Sequence, residues 1–177
     1  SPKQTAETLD AEGWSGTGDV GQWDAQGRLV VIDRVKNIFK LAQGEYIAPE
    51  KIEAVLSKHY LVAQVFVYGH SLQATLVGVV VPDADTLKLW ANENKLGNKT
   101  YEELCAEPLV RTTLQKELTV FGKECDLKGF EILKNIYVTP EQFSIENDLL
   151  TPTFKLKRHQ AKEKYDAEID RMYKEIA

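Results

Sequence analysis

The chain is short of the groups that most readily announce a chemistry. It has only two cysteines, Cys105 and Cys125, in no Cys-x-x-Cys pair, and its three histidines, His59, His70 and His159, are scattered, which argues against a disulfide framework and a metal site. It lacks a basic surplus: 22 Lys and Arg face 27 Asp and Glu for a net charge of -5, which excludes general tracking of a nucleic-acid backbone. Any function that needs positive charge must therefore be local. No apolar run is long enough to span a bilayer and no charged-then-apolar leader is present, so the segment fits a reducing, aqueous compartment. Glu175-Ile176-Ala177 is no peroxisomal address. Asn98-Lys99-Thr100 matches a glycosylation acceptor in form only, without a secretory signal to give it meaning. There is no phosphate-cradling Gly-x-x-x-x-Gly-Lys-Ser/Thr loop, no Ser-His-Asp set, no internal repeat and no low-complexity stretch. The chain opens on Ser1-Pro2-Lys3 without an initiator methionine, as an excised piece of a larger protein would.

What is present suits an ordinary folded domain. With 177 residues and 43% hydrophobic content, the chain can bury one good core or two small ones. Residues 1 to 16 read as a polar lead-in, with Trp14 as its anchor. Two short strands follow, Asp19 to Trp23 and Arg28 to Asp33, joined by the Gly-bearing turn Asp24-Ala25-Gln26-Gly27. After Lys36-Asn37 the chain extends again over Ile38 to Leu41, up to Gln43-Gly44-Glu45, where glycine permits a positive φ or a close approach to the backbone.

Pro49 in first-turn position, with Glu50 at the positive end, predicts a helix whose apolar stripe is Ile52, Val55 and Leu56. β-Branched runs predict strands from Val62 to Tyr68 and from Thr75 to Val81, the second ended by Pro82-Asp83. Helical spacing covers Asp85 to Asn94, Tyr101 to Leu104 and Val110 to Phe121, the last with Leu114, Leu118 and Phe121 on one side. A strand from Ile132 to Val138 points Ile132, Lys134, Ile136 and Val138 one way. A last helix carries Ala161, Tyr165, Ile169 and Met172 down one face. Strands and helices do not alternate strictly, so the expected class is α+β: a short β-hairpin plus a small mixed sheet covered by helices.

Three places carry groups suited to nucleotide chemistry. Asp19, behind Thr17-Gly18, is placed to accept hydrogen bonds from both hydroxyls of a ribose, and Arg34 at a strand end would add directional donors to sugar or phosphate. Near the C-terminus, Leu149-Leu150-Thr151-Pro152-Thr153-Phe154-Lys155 presents a lysine on a turn that Pro152 pre-sets and Thr153 ties to its own backbone. A lysine held there can neutralise charge on an α-phosphate and hold an incoming carboxylate against it, and in such transfers positioning and electrostatics carry most of the rate. Another domain must supply the rest of such a site. Taken singly, each residue has a plainer reading: Asp19 as a turn cap, Arg34 as a surface partner of Asp33 or Glu53, Lys36 as a strand-end lysine, Lys155 as solvated. Lys157, Arg158, Lys162 and Lys164 read as the solvated face of the last helix, or as an attraction for phosphates or an anionic surface, and His159 as surface.

Taken together, the motifs resemble a known family. Gly13-Trp14-Ser15-Gly16-Thr17-Gly18-Asp19, Asp33-Arg34-Val35-Lys36-Asn37-Ile38-Phe39-Lys40, Gly44-Glu45-Tyr46-Ile47-Ala48-Pro49-Glu50-Lys51-Ile52-Glu53 and Thr151-Pro152-Thr153-Phe154-Lys155 stand in the order of the adenylate-forming enzymes. Phe39-Lys40-Leu41-Ala42-Gln43-Gly44-Glu45-Tyr46 and Leu149-Leu150-Thr151-Pro152-Thr153 are most similar to the long-chain fatty acid–CoA ligase branch. The resemblance covers essentially the whole chain. It implies the mobile C-terminal domain, residues 35–177, preceded by the end of the large N-terminal domain, residues 1–34. It implies ATP-dependent activation of a fatty acid to an acyl-adenylate with release of pyrophosphate, then thioester formation with coenzyme A. Asp19 and Arg34 would hold ATP, Lys36 would be the hinge, Lys155 would serve adenylation, and Lys40 and Gly44 would face the coenzyme A side after rotation. The co-substrates would be ATP with Mg²⁺ and coenzyme A, the metal site lying in the large domain. The full-length protein would sit on the cytoplasmic side, attached to endoplasmic reticulum, lipid droplet or peroxisome through parts outside these residues.

The chain departs from the wider superfamily in having Asp33 where glycine is common, lysine at position 36 where aspartate is common, and Phe154 where glycine usually precedes the catalytic lysine. The stretch from Lys40 to Gly44 is also one residue longer than in short-chain and aryl ligases. Two alternatives remain open at this stage. One is another acyl-adenylating enzyme, a fatty acid–AMP ligase or luciferase-like relative. The other is a non-catalytic interaction module retaining the fold.

Overall fold

The computed structural model describes Asp10 and residues 12–176; most of the lead-in, residues 1–9 and 11, lies outside the described residues, as does Ala177. Trp14 is 72% exposed, so its ring is not buried among the described residues; its backbone is tied to Asp10, whose N–H reaches Trp14 O at 3.0 Å and whose Oδ1 accepts the Trp14 N–H at 2.9 Å. Strands β1 (Asp19–Trp23) and β2 (Leu29–Arg34) form an antiparallel hairpin in which Asp19 faces Arg34 and Trp23 faces Leu29. Its turn is closed by Asp24, whose carboxylate accepts the Gln26 and Arg28 N–H groups at 2.9 and 2.8 Å. A bulge opposite Val20 and Gly21 makes Ile32 the extra residue. Of β2, only Asp33 is buried.

A second, two-residue hairpin follows, β3 (Phe39–Lys40) with β4 (Tyr46–Ile47), shorter than the predicted extension from Ile38 to Leu41. Helix α1 (Pro49–Leu56) starts at the predicted proline and buries Pro49, Ile52 and Leu56. The main sheet has the order β5-β6-β7: β5 (Val62–Tyr68) pairs antiparallel with β6 (Leu76–Pro82), which pairs parallel with β7 (Leu133–Val138). Every residue of β6 is buried, as expected of a β-branched run in a central strand covered on both faces.

Between β6 and β7 run helices α2 (Ala84–Glu93), α3 (Tyr101–Cys105) and α4 (Pro108–Glu124), then a 3₁₀ turn at Gly129–Glu131. Asp83 caps α2 through the Thr86 N–H at 3.0 Å. Thr100, the last residue of the formal glycosylation triplet, instead makes a capping box with Glu103 at the start of α3. Helices α5 (Arg158–Lys164) and α6 (Asp166–Ile176) close the chain. The sheet separates two cores. Ile52, Leu56, Leu76, Val80, Leu114, Leu118 and Ile136 share one with α1 to α4. Phe66, Val77, Val79, Ala161, Tyr165, Ile169 and Met172 share the other with α5 and α6. The architecture is thus the expected α+β domain with a mixed sheet between helices.

Two local expectations are corrected. In β7, Lys134 does not share a face with Ile136 and Val138: Leu76 pairs Leu133 while Val77 pairs Asn135, so Lys134 is the extra residue of a bulge and is exposed. The last helix is not continuous but breaks at Tyr165 (φ -104°, ψ 19°). Bonds from Tyr165 N to Ala161 O and from Ile169 N to Tyr165 O, at 3.1 and 2.9 Å, keep the apolar stripe aligned across the break.

Candidate functional site

The hairpin brings Asp19 and Arg34 together. Because they face each other in the β1–β2 register, Arg34 Nε lies 3.1 Å from Asp19 Oδ1, both side chains remaining partly open to solvent. Gly18 (φ +76°) makes the entry: its carbonyl accepts the Val35 N–H at 2.9 Å, and Thr17 Oγ1 accepts the Asp19 N–H at 3.2 Å. Arg34 therefore pairs with Asp19 and not with Asp33 or Glu53. Strand alternation turns Asp33 inward while Arg34 points out.

Lys36 is exposed in the turn Val35–Asn37, which the Asn37 N–H closes onto Arg34 O at 2.9 Å. Asp33, which the sequence offered only as a surface partner of Arg34, ties this turn to α1. Its carboxylate accepts the Arg34 N–H at 2.6 Å and Asn37 Nδ2 at 3.0 Å on one oxygen, and the Glu50 N–H at 2.9 Å on the other. Ala48, the residue at the N-cap of α1, has no side-chain acceptor for the first N–H groups, so Asp33 takes the Glu50 N–H from upstream.

Lys40 and Gly44 meet in the β3–β4 hairpin. Gly44 takes φ +99°, its N–H reaches Leu41 O at 2.9 Å, and a Cβ placed on it would stand 3.7 Å from Lys40 Cε. Lys40 Nζ lies 5.3 Å from the Tyr46 ring centre. Ala42 N–H to Gln73 O at 2.9 Å, and Gln43 Nε2 to Ala74 O at 3.0 Å, pin this hairpin to the β5–β6 connection.

Lys155 is exposed at the closing end of a small loop whose tip is residues 152–154. Leu150 bridges Leu156, and the loop closes through Thr151 N to Lys155 O and Phe154 N to Thr151 O, both at 2.8 Å. The hydroxyl that holds the lysine's backbone belongs to Thr151, which accepts the Lys155 N–H at 3.1 Å; Thr153 only meets the Thr151 hydroxyl, at 3.0 Å. That corrects the assignment to Thr153: the residue four before the lysine, not the one two before it, accepts the Lys155 amide. Phe154 adopts φ +58° and is 75% exposed. The left-handed conformation is the one that glycine takes without strain, so the loop keeps a glycine-like backbone with a phenylalanine in it.

Arg158 does not join a solvated face. Its guanidinium turns inward, donates through Nη2 to Glu53 Oε2 and through Nη1 to Val67 O at 3.4 Å, and lies 6.0 Å from the Phe66 ring centre. Glu53 Oε1 accepts the Val67 N–H at 2.8 Å. Burial pushes the Glu53 carboxyl up to about 7, against the pull of Arg158 and the Val67 N–H. The signal was a charge on an apolar stripe: Glu53 falls between Ile52 and Leu56 on the buried side of α1, and Arg158 lies one turn before Ala161. Its neighbours behave as expected, with Lys157 paired to Asp148, Lys162 to Asp166 and Lys164 to Glu141 at the surface. His159 is exposed beside Glu163.

The candidate residues thus occupy four places: Asp19 with Arg34, Lys36 in the turn behind them, Lys40 with Gly44, and Lys155 alone. Among the described residues no hydrogen bond or ion pair joins Lys155 to the other three. A cleft of 720 Å³ lies elsewhere, at the open edge of β7, lined by Arg111, Gln115, Asn135, Arg171 and Glu175 among others. Also among the described residues, no three His, Cys, Asp or Glu side chains converge in a way that fits a metal ion, and no helix is long and apolar enough to cross a membrane.

No family model matches the chain. It is 50% identical over 175 residues to the long chain acyl-CoA synthetase 7, peroxisomal, of Arabidopsis thaliana, covering 99% of this chain and 25% of that protein. It is 51% identical over 176 residues to the long-chain-fatty-acid–CoA ligase 5 of Mus musculus, covering 99% and 26%. Among solved structures, it superposes on the adenylation domain of a carboxylate reductase from Mycobacterium chelonae with a TM-score of 0.81 at 34% identity, covering 97% of this chain and 25% of that one. The corresponding domain from Segniliparus rugosus, solved with AMP and a co-purified carboxylic acid, gives 0.81 at 32%, covering 99% and 26%. The chain spans about a quarter of the length of the relatives it matches. A sequence that aligns along nearly its whole length with acyl-CoA ligases, and folds as the end of an adenylation domain does, belongs to the adenylate-forming enzyme superfamily, as a C-terminal domain of the long-chain acyl-CoA synthetase kind.

Proposed function

We propose that these residues work as the C-terminal part of a long-chain fatty acid–CoA ligase. The observation that carries this is identity near 50% over 99% of the chain with two such ligases. In the first half-reaction a fatty acid carboxylate oxygen attacks the α-phosphorus of ATP; the bond to the β-phosphate oxygen breaks and pyrophosphate leaves. Lys155 supplies a cation beside the carboxylate and the α-phosphate, and Asp19, oriented by Arg34, receives the ribose hydroxyls. In the second half-reaction the coenzyme A sulfur attacks the acyl carbonyl carbon and AMP leaves. The Lys40–Gly44 hairpin then faces the pantetheine arm, after a rotation about Lys36. Mg²⁺, held by the large domain, would neutralise the ATP phosphates.

The division at Lys36, with residues 1–34 belonging to the large domain and 35–177 to the small one, is supported by the β1–β2 hairpin. Trp23 is 72% exposed and Leu29 and Val31 are each 61% exposed, which leaves an apolar surface for upstream chain to cover. The test is Lys155→Ala in the full-length protein, with fatty-acid-dependent ATP–pyrophosphate exchange assayed beside thioester formation from pre-made acyl-adenylate. Loss of exchange with the second step retained is expected. Surviving exchange removes Lys155 from adenylation. Transfer of the acyl group to a carrier protein or to oxygen, with none to coenzyme A, replaces the ligase with another acyl-adenylating enzyme.

A further inference from the structure

The loop that bears Lys155 is a short finger with two legs. Its entry leg is held by packing, since Leu149 and Leu150 are buried, and by Gln64, whose amide exchanges bonds with Phe143 N and O at 2.6 and 2.9 Å. Its exit leg is tied to the entry by Lys157 N to Leu149 O at 2.8 Å and runs directly into Arg158, the first residue of α5. Arg158 is three residues from Lys155, and its fork is fixed on Glu53 of α1 and Val67 of β5, more than ninety residues away in the chain. Both side chains are mostly buried, at 19% and 13% exposure. An ion pair so far from water gives little net stability, because desolvation offsets the attraction, but its two-point geometry gives direction.

We propose that Glu53 and Arg158 are positioning residues for Lys155: their buried pair fixes the exit leg of the loop, and so fixes where the lysine stands during adenylation. This rests on the reading of Lys155 as the adenylation lysine. Neither residue touches substrate; both act through the loop. A displacement of the loop by about an ångström is enough to cost on the order of a hundredfold in a step that depends on placement.

The test uses the full-length protein with Lys155→Ala, Glu53→Gln, Arg158→Lys and the apolar pair Glu53→Leu with Arg158→Leu, in the two half-reaction assays and in thermal unfolding. A merely structural role would lower both half-reactions together with the melting temperature. Positioning predicts a split. Exchange falls about 10- to 100-fold in kcat in the Leu pair and in Glu53→Gln, and less in Arg158→Lys, which keeps the charge and loses the fork. Thioester formation from acyl-adenylate stays within about twofold, and the melting temperature of the Leu pair stays at or above that of the parent. If the Leu pair does not fold, the two conservative variants decide alone. Exchange near the parent level in these variants, while Lys155→Ala abolishes it, overturns the positioning role and leaves the ligase reading intact. Exchange that survives Lys155→Ala overturns both.

Discussion

Phe154 shows most directly what a single residue contributes to the loop. It holds φ +58° while 75% exposed, so it carries left-handed strain with little burial in return. Phe154→Gly removes a penalty of about 1–2 kcal/mol and adds unfolded-state freedom of about 0.5–1 kcal/mol, so a net gain of up to about 1.5 kcal/mol is expected in urea unfolding. The cysteines separate by the same reasoning. Cys125 is exposed, whereas Cys105 is buried and burial pushes its thiol up to about 11. Iodoacetamide at pH 8 should therefore add one group to the native chain, on Cys125, and two in denaturant. Two adducts in the native state would mean that α3 opens readily. Glu53 gives a pH dependence of definite sign. Its carboxyl is raised from 4.5 to about 7 in the fold, so the stability linked to it is present below pH 4.5 and is lost as pH rises through 7. Arg158 and Glu50 set its local field. Glu53→Gln should flatten the fall in unfolding free energy between pH 4.5 and 8, and an unchanged slope would assign that fall to other groups.

At the level of the elements, Asp33 binds the hairpin to helix α1 across the turn that contains Lys36. It supplies the cap that Ala48 lacks, so Asp33→Ala should cost about 1–2 kcal/mol and speed amide exchange at Glu50 far more than at β6. If the small domain rotates about Lys36, these same bonds must break, and the variant should favour the rotated form. Most elements were legible because their signals are local: Pro49 and Glu50 for α1, β-branched runs for β5 and β6, and the Gly27 turn for the first hairpin. What escaped depends on distant partners. The break at Tyr165 had a signal in Asp166 and Glu168, an acidic first turn, but the apolar stripe ran through it unbroken. The Lys134 bulge is set by pairing with β6, and the inward turn of Arg158 by a glutamate 105 residues away. Asp19 and Arg34 were legible as candidates one by one; their facing register was not, because it depends on a bulge at Ile32.

For the molecule as a whole, the β1–β2 hairpin stands apart from both cores. Val30 and Val35 join Trp23, Leu29 and Val31 as exposed apolar residues, whereas the sheet between the helices is covered on both faces. A hairpin of two strands is marginal in water by itself, so its contacts with other parts of the protein decide its order. The proposed boundary at Lys36 makes those contacts the upstream large domain. Trp23 reports on this directly. In a chain with Trp14 and Trp90 replaced by Phe, its emission should be red-shifted and quenched by acrylamide nearly as freely as a small indole. In the full-length protein, with other tryptophans likewise replaced, the emission should shift to the blue and quenching should fall several-fold as the apolar face is buried. Equal quenching in both settings would place the hairpin outside the large domain and move the boundary upstream of Asp19. Trp23→Ser should then leave the stability of the isolated chain within about 0.5 kcal/mol, since a residue 72% exposed has little burial to lose. The same substitution should weaken the full-length protein by roughly 1–3 kcal/mol, because there it removes an aromatic side chain from a buried face.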